Sequence, residues 1–181
     1  MENIEKNRDF ILNDIRSVHQ NSNFKNFKVT KLVAVSKKQE DYKIDLAIKS
    51  GHKYFGENKV QEAQMRWEER QKIYNDLELR LIGPLQTNKV KQALKLFNKI
   101  ETIDREKLAK EISKNFGNVK TDGFYIQVNT GNETQKSGIL PLEADDFVTY
   151  CINDLKLPVI GLMNIPPQIE EPAMHFNLLK K

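Results

Sequence analysis

The feature that most constrains this chain is a repeat in its apolar segments. Short runs rich in β-branched and aromatic residues begin near positions 29, 53, 77, 99, 124 and 159, and a stretch with helical periodicity follows each. Strand-like runs about 25 residues apart, with one helix per gap, are the βα units of a parallel sheet. The predicted strands cover 29–35, 53–55, 77–82, 99–103, 124–130 and 159–163. The predicted helices cover 2–20, 41–50, 60–73, 87–98, 105–116 and 141–154, with the opening of another at 172–181. In the first helix Ile4, Ile11, Ile15 and Val18 fall on one face. Gly51 and Gly117 stand where helices stop, and Pro141 stands in a first turn. Six such units suit either an open doubly wound sheet or a (β/α)8 barrel that ends early, since complete barrels run to roughly 250 residues. No Gly-x-Gly-x-x-Gly follows the first strand, so the dinucleotide-binding version has no support.

Composition narrows the class. With 39% apolar and 30% charged residues over 181 positions, the chain suits one ordinary globular domain. No window approaches a transmembrane span, and the acidic start Met1-Glu2-Asn3-Ile4-Glu5 is unlike a signal peptide, so a cytoplasmic protein is expected. The lone Cys151 cannot form an intramolecular disulfide and reads as an inert, buried thiol. The net charge of +4 comes from 23 Lys and only 6 Arg. Specific readers of nucleic acid favour Arg and aromatic faces, so the excess reads as compositional bias. Lys89, Lys91, Lys95 and Lys99 have the spacing of a solvated helix face, as does the series Glu57, Glu62, Glu68, Glu69. His19, His52 and His175 lack ligand spacing, so no metal site is expected.

The polar, Gly- or Pro-containing motifs gather where strands end. They are Ser36-Lys37-Lys38, Gly56-Glu57-Asn58, Gly83-Pro84-Leu85-Gln86-Thr87-Asn88-Lys89, Asp104-Arg105, the segment 131–138 and Asn164-Ile165-Pro166-Pro167. In parallel βα folds that edge is where sites are built, although helix starts also call for some of these residues. Lys37 directly follows a continuously apolar run. A lysine leaving a buried strand is partly desolvated, which favours the neutral amine, and a neutral amine can condense with an aldehyde. Position alone favours a structural lysine whose stem packs on apolar surface.

Six ordered segments carry a resemblance. Leu32-Val33-Ala34-Val35-Ser36-Lys37, Phe55-Gly56-Glu57-Asn58-Lys59-Val60-Gln61-Glu62 and Leu81-Ile82-Gly83-Pro84-Leu85-Gln86-Thr87-Asn88-Lys89 are the first three. Thr102-Ile103-Asp104-Arg105, Gln127-Val128-Asn129 with Lys136-Ser137-Gly138-Ile139, and Gly161-Leu162-Met163-Asn164-Ile165-Pro166 complete the set. Together these resemble the strand motifs of the pyridoxal phosphate homeostasis proteins, the YggS/PROSC family. The resemblance implies an α/β fold, a parallel TIM-type (β/α)8 barrel of the alanine racemase N-terminal kind. It implies pyridoxal 5′-phosphate (PLP) as cofactor, held as an aldimine on Lys37, with Asn58 and Met163 facing the cofactor region. The implied role is intracellular PLP homeostasis, without established catalytic turnover, and with PLP-dependent apo-enzymes as partners rather than nucleic acid or membrane.

The chain departs from the pattern at two kinds of place. Leu79-Arg80 stands where the family shows an aromatic and a histidine, and Asn164 replaces a small residue. The sequence also stops at Lys181, before a seventh strand with a Ser-Met-Gly-Met-Ser-like motif and an eighth with a Gly-Ser/Thr-x-Val-Arg-like motif. The expectation is therefore a single domain over 1–181, truncated at the C-terminus, with about six of eight strands, the first and sixth left as edges. Two other functions compete. One is a PLP-dependent amino-acid racemase, for which Lys37 supplies one acid/base group but no second is evident. The other is a basic nucleic-acid-binding module.

Overall fold

The computed structural model describes residues 3–21 and 30–180. Helix α1 (Ile4–Asn21) leads into a repeating series. It runs β1 (Ala34–Val35), α2 (Asp41–Lys49), β2 (Tyr54–Glu57), α3 (Val60–Ile73), β3 (Glu78–Leu81), α4 (Val90–Leu96) and β4 (Lys99–Ile103). It continues through α5 (Glu106–Asn115), β5 (Gly123–Gln127), α6 (Ala144–Asn153), β6 (Val159–Met163) and α7 (Pro172–Lys180). Single 3₁₀ turns, Thr87–Lys89 and Pro141–Glu143, precede α4 and α6.

All strand pairs are parallel, and the order across the sheet is the order in the chain, β1 to β6. A doubly wound sheet reverses its strand order at a switch point, and here no reversal occurs, so the barrel topology is the one realised. Right-handed crossovers between successive neighbours put α2 to α6 on the same side. The core confirms this. Phe55, Leu79, Leu81, Ile100, Phe124 and Ile126 on the strands belong to one buried cluster with Ile44, Trp67, Leu94, Leu108 and Cys151 on the helices. The opposite, inner face carries Tyr54, Gly56, Arg80, Lys99 and Tyr125. Among the described residues β1 and β6 are sheet edges, and Val35 and Ile160 on them are about half exposed.

Three predicted features need correction. The first strand is two residues long and not fully buried, because it pairs on one side only; Val29, where it was expected to begin, lies outside the described residues. In α1 the half-buried positions are Ile4, Arg8, Leu12, Ile15 and His19, whereas Ile11 and Val18 point to solvent. Both sets lie on narrow, overlapping helix faces that share Ile4 and Ile15, so the periodicity is right and the buried stripe is rotated toward Arg8, Leu12 and His19. Finally, Lys89, Lys91, Lys95 and Lys99 share no helix face, since Lys99 lies on β4 paired with Asp122. Gly51 does end its helix: it follows the C-cap Ser50 with φ 84°, a conformation glycine adopts without steric cost. No helix among the described residues is long and apolar enough to cross a membrane.

Candidate functional site

At the C-terminal end of β1 the chain makes a tight turn. The Ser36 N–H donates to Gly56 O at 3.0 Å, and the Gln39 N–H closes back on Ser36 O at 3.1 Å. Lys37 and Lys38 are the central residues, and Lys38 has φ 60°. A positive φ at the third position is the mark of a type II turn, where glycine or asparagine is usual. Lysine there costs on the order of 1 kcal/mol of backbone strain.

What holds the turn is a buried carboxylate. Glu57, the last residue of β2, is fully buried. Its Oε1 accepts from the Ser36 hydroxyl at 2.8 Å, the Arg66 guanidinium at 2.9 Å and the Trp67 indole N–H at 3.1 Å. Arg66 donates as well to Ser36 O at 3.1 Å and Gln39 O at 3.3 Å, so it grips both ends of the turn. Glu57 Oε2 is buried without a hydrogen-bond partner among the described residues. Glu57 therefore does not belong to a polar helix face with Glu62, Glu68 and Glu69. Arg66 and Trp67 carry no sequence signal for this role, because they meet Glu57 only when α3 folds back over β2.

Lys37 itself is exposed, and among the described residues it makes no hydrogen bond or ion pair. The expected desolvation is not met, because the strand it leaves is a half-exposed edge. The turn fixes its backbone while its amine stands in solvent.

Beyond β2, β3 and β5 lies a cleft of about 200 Å³, lined by Asn58, Ile82, Pro84, Gln127, Asn129 and Ser137. A wider one of about 700 Å³ shares Asn58, Pro84 and Ser137 and adds Lys59, Lys89 and Arg105. The walls come together closely: a Cβ on Gly83 would lie 2.3 Å from the Asn58 carbonyl oxygen, so only glycine fits there. Asn129 shapes the far wall. Its side chain donates to Glu133 O at 2.8 Å and accepts from the Glu133 N–H at 3.2 Å, folding the 131–138 loop back on itself. Gln127 donates to Ser137 O at 3.1 Å, and Lys136 reaches Pro166 O at 3.3 Å.

Of the three residues picked from the sequence, Asn58 lines both clefts. Met163 lies on β6 opposite Gln127, with its carbonyl bonded to the Val128 N–H at 2.8 Å, outside the cleft lining. Lys37 is at the same sheet end but is not in the lining. The linings combine amides and the Ser137 hydroxyl with Ile82, Pro84 and Val128, and set Lys59, Lys89, Lys136 and Arg105 against the single acid Asp104, a donor set that fits a ligand with polar and anionic groups.

A parallel βα sheet in sequential order, with clefts built by the loops after its strands, defines a barrel protein with a ligand site at the C-terminal mouth. Comparison with known proteins makes this specific. The family model of the alanine racemase N-terminal domain matches residues 12–179. The pyridoxal phosphate homeostasis protein of Vibrio cholerae is 35% identical over 174 residues, 94% of this chain and 73% of that one. The protein of the same name from Aquifex aeolicus is 40% identical over 123 residues, 67% of this chain. The matched region spans 53% of the Aquifex protein, about half its length. PipY of Synechococcus elongatus, solved without PLP, superposes with a TM-score of 0.71 at 29% identity, covering 93% of this chain and 76% of PipY. Its PLP-bound structure gives 0.72 at 24% identity, with 94% and 80% covered. The chain belongs to the alanine racemase N-terminal domain family and, within it, to the pyridoxal phosphate homeostasis proteins.

Proposed function

We propose that this chain binds pyridoxal 5′-phosphate and serves intracellular PLP homeostasis, with Lys37 as the covalent attachment point. The observation that carries the reading is the Lys37 turn: an exposed amine, unpaired among the described residues, on a backbone fixed by a buried carboxylate, at the sheet end where (β/α)8 barrels build their sites. The PLP-bound structure of PipY and the names of the relatives support it. When bound, the cofactor supplies an aldehyde that an amine can capture. Lys37 provides that amine, Asn58 stands in the cleft wall, and Met163 stands on β6 beside Gln127 of that wall. Delivery of the cofactor to PLP-dependent apo-enzymes belongs to the same proposal, since an exposed attachment point leaves the amine open to exchange.

The test is a visible absorption spectrum after adding PLP, with Lys37→Ala beside the wild type, followed by borohydride reduction and peptide mapping. The expected result is a new band in the wild type, absent in the variant, with the pyridoxyl tag on the peptide containing Lys37. A tag spread over other lysines would overturn the assignment.

A further inference from the structure

We propose that Glu57 is a positioning residue for the Lys37 amine. This rests on the function proposed above. Glu57 and Arg66 act as one clamp that presets the turn from which Lys37 projects.

Three observations carry it. The first is connectivity. Glu57 Oε1 takes three donors, one of them the hydroxyl of Ser36, which immediately precedes Lys37. Arg66 then bridges from that carboxylate to Ser36 O and Gln39 O, the two ends of the turn. No other described group bonds the turn from both sides. The second is the cost of the arrangement. A fully buried carboxylate is retained at the end of a strand whose other outward residue is Phe55, and one of its oxygens lacks a hydrogen-bond partner among the described residues. A side chain serving only to fill that space would be apolar. The third is the strain at Lys38, whose positive φ persists only where surrounding contacts over-determine it.

The clamp acts on geometry. Lys37 has four rotatable side-chain bonds but one fixed Cα, so the volume its amine searches is set by the turn. Releasing the turn leaves the same amine with a larger volume to search, and attachment weakens without any loss of the reacting group. Ser36 is the link: it is the one residue in the turn touched by Glu57 directly.

The experiment compares wild type, Glu57→Gln, Ser36→Ala and, as a control in an ion pair between α2 and α3, Asp45→Asn. Asp45 pairs with Arg70 at 2.8 Å and does not touch the turn. Each protein is titrated with PLP by visible absorbance, then reduced with borohydride and mapped, with a thermal melt in parallel. The expected result is that Glu57→Gln weakens attachment about tenfold and Ser36→Ala by a smaller factor, consistent with misplacement of a reacting group. In both, the tag shifts from Lys37 toward other lysines at temperatures well below the melt, where the chain is still folded, whereas Asp45→Asn labels as wild type does. That shift is a readout that loss of stability alone does not produce. Ser36→Ala removes only one hydroxyl and keeps the test open should Glu57→Gln fail to fold. Wild-type labelling at Lys37 with unchanged affinity and label position in Ser36→Ala and in folded Glu57→Gln overturns the positioning role alone. Absence of label on Lys37 in the wild type overturns both it and the function on which it rests.

Discussion

Arg80 on β3 and Glu101 on β4 stand 2.7 Å apart on the inner face of the sheet. Arg80 also pairs with Glu78 two residues before it, so one guanidinium serves two carboxylates, and all three side chains are largely withdrawn from solvent. Arg80 occupies the place where a histidine is the family's habit, and its partners come from its own strand and the next.

This arrangement predicts an asymmetric response to mutation. Arg80→Met removes the shared guanidinium, leaving Glu78 only the half-exposed Lys31 at 4.0 Å and Glu101 no cation among the described residues, and should destabilise the fold by about 2–3 kcal/mol, somewhat below the cost of breaking a fully buried pair. The triple variant Glu78→Gln, Arg80→Met, Glu101→Gln should recover part of the loss, because no withdrawn carboxylate is left without its guanidinium, and Lys31 is half exposed. Urea unfolding of the two proteins checks it; equal midpoints for Arg80→Met and wild type would show the ion pairs to be decorative.

Trp67 is the chain's only tryptophan and is fully buried, with its ring 4.7 Å from that of Phe55. Trp67→Phe keeps most of the apolar contact but removes the indole N–H from Glu57, so it should cost about 1–3 kcal/mol. Trp67→Ala should cost about 3–5 kcal/mol through the cavity it leaves. Intrinsic fluorescence of the wild type reports unfolding directly, by a shift to longer wavelength as this one indole meets water.

His52 gives the fold a pH dependence. Burial holds its pKa below the ordinary imidazole value, opposed by the hydrogen bond to Tyr54 O and assisted by the nearby Arg8. That bond, 2.8 Å from Nε2, requires Nε2 to carry the proton of the neutral ring, since a carbonyl only accepts. Between the lowered folded pKa and the unfolded value near 6.5, the unfolded chain binds the proton that the folded chain refuses. Stability contributed by this residue is thus complete above about pH 6.5 and declines as pH falls through the folded pKa. Melting temperatures from pH 8 to pH 5 should fall less steeply in His52→Gln than in wild type.

Cys151 is buried within the helix-side core, and burial pushes its thiol up to about 11. At pH 8 iodoacetamide should leave the native protein unmodified and alkylate it fully in denaturant, because the thiolate is the reacting form. Mass spectrometry after a timed pulse measures this, and rapid labelling of the native protein would show α6 to open locally.

How much of this was legible in the sequence varied with the kind of contact. The bounds of β4, α3 and β6 were readable to the residue, since each is marked by its own apolar pattern. Barrel topology was not readable from periodicity, which counts strands but does not order them; it came from the resemblance and then from the sheet. The starts of α4 and α6 were read as continuous helix, yet each opens with a 3₁₀ turn. Glu57 was misread because it sits five, eleven and twelve residues before other glutamates, spacings compatible with a helix. The signal that could have placed it is local: Phe55, Gly56 and Glu57 alternate with a period of two, which puts Phe55 and Glu57 on one side of a strand. No local pattern could have revealed Arg66 and Trp67 as its partners. Asn58 could be located from its motif, whereas the exposure of Lys37 depended on β1 having a neighbour on one side only.

The sequential order of the strands has a consequence for how the molecule is made. Every strand docks on the one synthesised just before it, so each pairing closes a loop of about the length of one βα unit and the associated entropy cost stays small. Among the six described strands, none must wait for a distant part of the chain before it can pair with its predecessor. Such a protein can assemble from its N-terminal side while the ribosome is still at work, and the turn that presents Lys37 can be in place once β2 and α3 have emerged.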